Sequence, residues 1–124
     1  MANPNIVGVT SIYGNTSAVP VTSTTSGSPN IVVSNPASSG AIYKINSLMV
    51  TSACSAPILV YVTLTTPLYG TTNLAYGISI PASSMLAIMG KDTQIYLQEN
   101  STLNVYAGTG SYLTATCSWE QITA

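Results

Sequence analysis

The stretch PILVYVTLTT, residues 57–66, decides the fold class. Ile58, Val60, Val62 and Leu64 fall at every second position, which puts them on one face of an extended strand and Leu59, Tyr61 and Thr63 on the other. The second face is only partly polar, so it needs cover from a neighbouring element or from another subunit. The same alternation, carried by β-branched residues and Tyr, marks further strands at 6–13, 19–25, 31–34, 41–51, 74–80, 85–89, 94–98, 103–107 and 112–122. Met85-Leu86-Ala87-Ile88-Met89 is also compatible with a helical turn, but Gly90 leaves it short.

Many short strands at this spacing predict an all-β fold, an antiparallel β-sandwich or jelly-roll-like barrel. Its core is expected to include Ile45, Ile58, Val60, Val62, Leu64, Ile95, Leu97, Leu103, Val105 and Leu113. Turn chemistry separates the strands at Tyr13-Gly14-Asn15, Ser26-Gly27-Ser28-Pro29-Asn30, Pro67-Leu68-Tyr69-Gly70 and Gly108-Thr109-Gly110. The last of these reads as a tight hairpin joining the final two strands. The tetrapeptide Pro-Ala-Ser-Ser occurs at both 36–39 and 81–84, and reads as one turn solution reached twice rather than as a duplicated unit.

Residues 1–28 are richer in Ser, Thr, Asn, Gly and Pro and read as an extended N-terminal arm or edge strands, with 29–124 as the β-sandwich domain. Within the arm, Ile6, Val9, Ile12 and Tyr13 belong to a strand-like stripe that can complete a sheet or add to a neighbour's edge. Main-chain hydrogen bonds would there give affinity without charge. Tyr69, beside Gly70 in a loop, is the best candidate for an exposed anchor, and these five residues are the candidate partner contacts.

Charge is the scarcest property of the chain. Of 124 residues 46% are hydrophobic, but only 4% are charged, against roughly 25% in an average soluble domain. The charged residues are Lys44, Lys91, Asp92, Glu99 and Glu120. Two lysines and no arginine give no patch to neutralise phosphates, so no nucleic-acid partner is expected. No run of about 18 apolar residues predicts a membrane-spanning helix, and no basic segment followed by an apolar one predicts a secretory signal. A net charge of −1 offers little repulsion against self-association.

Acid–base, nucleophilic and metal chemistry all lack parts. There is no His to serve as a base or zinc ligand, and the carboxylates show no pairing motif. No SxxK, GxSxG or phosphate-loop pattern occurs. Cys54 and Cys117 are expected as free thiols, with Cys117 on an inward face alongside Leu113, Ala115 and Trp119. No catalytic residue, cofactor or metal site is expected, and the chain reads as a non-enzyme. Tyrosine is the more informative resource, with eight copies against one Trp and no Phe. It combines contact area with a hydroxyl, which suits surfaces that become buried on association or stack on sugar rings.

The segments VTSIYGNTSAV (9–19), IVVSNPASSGAIYKINSLMVTS (31–52), LAYGISIPASSMLAIMGKDTQIYLQENSTLNVYAG (74–108) and the closing ATCSWEQI resemble small virion structural proteins of tailed phages, in particular those infecting cyanobacteria. The chain departs from that pattern in carrying fewer Lys, Asp and Glu. The resemblance implies a small β-domain on the particle, a capsid decoration or cement protein on the outer surface of the shell. Its implied partners are the major capsid protein and further copies of itself, with a homotrimer favoured. The alternative is a tail, baseplate or fibre component that binds a host-surface glycan.

Overall fold

The computed structural model describes residues 6–123 and forms two antiparallel sheets packed face to face. The strands are Ser11–Val21 (β1), Asn30–Asn35 (β2), Ala41–Ser52 (β3), Ile58–Thr66 (β4), Gly70–Ile80 (β5), Met85–Met89 (β6), Ile95–Leu97 (β7), Ser101–Ala107 (β8) and Leu113–Thr123 (β9). Short 3-10 turns occupy Ile6–Gly8 and Lys91–Thr93, and there is no α-helix among the described residues. The segment 85–89 is therefore a strand, as its alternation favoured.

The first sheet runs β1-β9-β3-β6, with β7 also on β3, and the second runs β2-β8-β4-β5. β7 pairs with β3 from Tyr43 to Ile45, and β6 pairs with it from Leu48 to Thr51. The two are therefore one edge strand broken at Gly90–Gln94, where the Thr93 hydroxyl accepts from Gly90 N at 2.9 Å. Counted as one, they leave four strands in each sheet, in the order of a jelly roll.

The alternation that identified the strands also builds the core. Ile45, Ile58, Val60, Val62, Leu97, Leu103, Val105 and Leu113 are buried between the sheets, with Leu64 and Ile95 packed against them. Leu113, Ala115 and Cys117 point inward with Trp119 beside them, as expected from their spacing. Cys117 and the half-buried Cys54 are both free thiols. Trp119 stacks on Tyr43 with centroids 4.4 Å apart and donates from Nε1 to Ser17 Oγ, tying β9 to both neighbours.

Three local expectations are overturned. The strand read over 6–13 begins only at Ser11, since Ile6–Gly8 forms a 3-10 turn, so Ile6 and Val9 do not share a strand with Ile12 and Tyr13. The Gly108–Gly110 segment does not close a hairpin, because β8 lies in the second sheet and β9 in the first, so it carries the chain between sheets. Gly110 suits that crossing: a Cβ there would sit 2.6 Å from the Thr22 carbonyl oxygen. Likewise Tyr13-Gly14-Asn15 is not a turn. β1 runs through it, paired with β9 at every position from Ser11↔Thr123 to Val21↔Leu113. An eleven-residue ladder outweighs the local preference of two residues.

Of the segment read as an arm, 11–21 is thus an edge strand, with Val21 fully buried, while residues 1–5 lie outside the described residues. Both Pro-Ala-Ser-Ser segments make turns that hold their first serine in the left-handed region, Ser38 at φ 60° and Ser83 at φ 51°. The first is anchored by buried polar groups. Asn35 Nδ2 donates to Ala41 O and Leu97 O, both at 3.0 Å, and its Oδ1 accepts from Ser39 Oγ at 2.6 Å. The buried Glu99 carboxylate accepts from Ser38 N at 3.0 Å.

Candidate functional site

All five charged residues lie on β3, the β6–β7 connection, the loop after β7 and β9, so the four strands of the second sheet carry none. Its inner face supplies half the core. Its outer face carries ordered rows of side chains, set by the register of β8, β4 and β5.

The central row is aromatic. Tyr106 and Tyr61 are partners across β8 and β4, and their rings stack at 4.6 Å between centroids with planes 5° apart. Tyr76 of β5 meets Tyr61 edge-on at 5.0 Å and 75°. A β-bulge places it there: Val60 pairs with Ile78 and Val62 with Ala75, so Tyr76 and Gly77 together face Tyr61. Gly77 takes φ +67°, and a Cβ there would lie 3.6 Å from the Tyr61 ring. Each aromatic contact is worth about 0.5–1.5 kcal/mol beyond the area it buries.

Tyr61 is half-buried and Tyr106 nearly covered, whereas Tyr76 is 71% exposed. Burial raises the Tyr106 phenol above its ordinary value, and Tyr76 and Tyr61 add to the shift. Leu59, also exposed and on the same face as Tyr61, extends the apolar surface along β4.

Beside the tyrosines runs a polar half. The rows Asn104–Thr63–Asn73 and Thr102–Thr65–Thr71 are aligned across the same three strands. These groups bond to one another, Asn104 Nδ2 to Thr63 Oγ1 at 3.3 Å and to Thr65 Oγ1 at 3.1 Å, and Thr65 to Thr71 at 3.0 Å. Every buried side-chain polar atom among the described residues has such a partner. The tyrosine hydroxyls differ, since none bonds to another described residue. They are left for water or for a partner.

The remaining carboxylates do structural work or face solvent. Glu120 accepts from Asn46 Nδ2 at 3.0 Å, Glu99 holds the Ser38 turn, and Asp92 is exposed in its 3-10 turn. Among the described residues no cluster of three or more His, Cys, Asp or Glu could hold a metal.

The five candidate partner contacts are not brought together. Ile12 lies on the outer face of the first sheet in a row with Ile122 and Ile42, while Tyr13 points to the opposite face; both are more than half exposed. Val9 is half-buried, and the side chain of Ile6 lies outside the described residues. Tyr69 sits at the tip of the β4–β5 hairpin, 76% exposed. β1 and the β4–β5 hairpin stand at opposite lateral edges of the sandwich. Tyr61, Tyr76 and Tyr106 were not among the candidates. Period-two reading of β4 put Tyr61 outward, but the bulge that aligns Tyr76 breaks that period in β5. The chain matches no protein-family model and no curated protein.

Proposed function

We propose that the protein is a non-enzymatic virion structural protein, a decoration or cement protein that binds the major capsid protein on the outer face of a tailed-phage capsid. One observation carries the reading: the second sheet is free of charge, and its outer face presents a fixed tyrosine row whose hydroxyls make no bond to another described residue. Such a surface supports recognition by apolar burial and neutral hydrogen bonds, the composition of a buried interface core. The sequence resemblance to small phage virion proteins supplies the particle as its setting.

β5, the outermost strand of that sheet, carries no charge, and its outer edge is unpaired within the described chain. Such edges invite strand addition, although the bulges in β5 limit how far a ladder could extend. Capsid lattices offer threefold positions, and a homotrimer there would use each weak contact several times over. The test is rebinding of purified protein to particles that lack it, at low ionic strength and at about 1 M salt, where the Debye length falls to about 3 Å. Attachment should survive high salt. Loss of attachment on raising the salt would show that charge, not neutral packing, makes the contact.

A further inference from the structure

At the hairpin end of the molecule, the edge of the first sheet and the tip of β4–β5 enclose a cleft of about 210 Å³. Leu64 and the fully buried Leu97 give it an apolar floor, and Tyr69, Tyr96, Gln98 and Thr66 supply aromatic and polar lining. No charged residue lines it. Lys44, opposite Tyr96 in register on β3, is not part of the lining.

We propose that this cleft binds a single ring of a neutral saccharide. A pyranose has an apolar C–H face and a rim of uncharged hydroxyls, and the cleft offers a counterpart to each. The phenol ring of Tyr69 can take the C–H face, as aromatic side chains with one wet end do, while Tyr96, beside Lys44 on the outer face of the first sheet, borders the cleft at the sheet edge. The hydroxyls of both tyrosines and the Gln98 amide have no bond within the described chain and are free to meet the sugar's hydroxyls.

The cleft is also built before any ligand arrives. Tyr69 N donates to Thr66 Oγ1 at 3.1 Å, and Gly70 at φ +68° closes the turn, so the backbone that carries the anchor is held in place. Its volume lies below the roughly 300–1,000 Å³ of pockets for larger ligands, which fits one ring and not a lipid chain. The absence of charge disfavours phosphates and acidic sugars, whose desolvation would find no compensation. The site lies beyond the tyrosine row, and the proposal stands whether or not the protein coats a capsid.

The experiment is a titration of isotope-labelled protein, followed by nuclear magnetic resonance, with methyl glycosides of neutral hexoses and of N-acetylhexosamines. At least one should saturate with a dissociation constant on the order of 1 mM, with shifts centred on Leu68, Tyr69, Tyr96 and Gln98. Tyr69→Ala and Tyr96→Ala should each weaken it about tenfold or more while leaving the amide spectrum folded, and Tyr112→Ala, outside the cleft, should leave it unchanged. Four results would each overturn the proposal: no saturable shift with any neutral glycoside, shifts centred elsewhere, undiminished binding by folded Tyr69→Ala and Tyr96→Ala, or equal binding of a glucuronide.

Discussion

Tyr61 and Tyr76 touch each other yet should fail differently when removed. Tyr61→Ala deletes both aromatic contacts of the row, the stack on Tyr106 and the edge contact with Tyr76, which together amount to about 1–3 kcal/mol. Loss of a half-buried ring adds about 1 kcal/mol of transfer free energy, so the total is about 2–4 kcal/mol. Tyr76→Ala deletes one contact from a ring already 71% exposed, a cost of about 0.5–1.5 kcal/mol. At about 4 °C per kcal/mol for a domain of this size, Tyr61→Ala should lower Tm by about 8–16 °C and Tyr76→Ala by about 2–6 °C.

Attachment should rank them the other way once the variants are compared well below their transitions. Tyr76 is the ring that a partner can cover, and truncating an interface anchor worth about 2 kcal/mol weakens binding about 30-fold. Urea titration followed by circular dichroism gives the stabilities, and co-sedimentation with particles lacking the protein gives the binding. If Tyr76→Ala proves as destabilising as Tyr61→Ala, or binds particles like the unaltered protein, the row is only a structural cluster and the interface lies elsewhere.

Gly110→Ala should destabilise by about 1–3 kcal/mol because its Cβ would meet the Thr22 carbonyl oxygen at 2.6 Å, whereas Gly14→Ala, with nothing within 4 Å, should be neutral or slightly stabilising; denaturant midpoints check both. Asn35→Ala should cost about 2–5 kcal/mol in the same assay, since it leaves the Ala41 and Leu97 carbonyls without their side-chain donor in a buried site. Burial pushes the Cys117 thiol up from 9.0 to about 12, so a thiol reagent at neutral pH should label Cys54 alone in the native protein and both cysteines after unfolding. That same shift stabilises the fold fully below pH 9.0 and is lost as pH rises from there toward 12, because the unfolded thiol ionises first; Cys117→Ala should flatten this alkaline decline in stability.

The strands and core were legible because burial imposes a period that the side chains must obey. Ile58, Val60 and Val62 could face inward together only on a strand, and they do. Sheet membership was not legible. Nothing local in Gly108-Thr109-Gly110 distinguishes a hairpin from a crossing between sheets, since the difference lies in which distant strands β8 and β9 pair with.

The tyrosine surface was half legible. Tyr61 showed as outward-facing on an incompletely polar face, but its alignment with Tyr76 depends on a bulge at Gly77, a left-handed residue whose role emerges only from the ladder. The buried Asn35 was invisible for a related reason. Its partners Ala41 and Leu97 are fixed by tertiary pairing, and a lone Asn before Pro36 reads simply as turn chemistry.

The most direct test of the decoration reading is the copy number of the protein in purified virions, quantified against the major capsid protein by stained gel or peptide mass spectrometry. A coat built on repeated neutral contacts requires a ratio close to that of the lattice sites it covers, comparable with the major capsid protein itself. A handful of copies per particle would contradict it and assign the protein to the tail, the baseplate or a fibre.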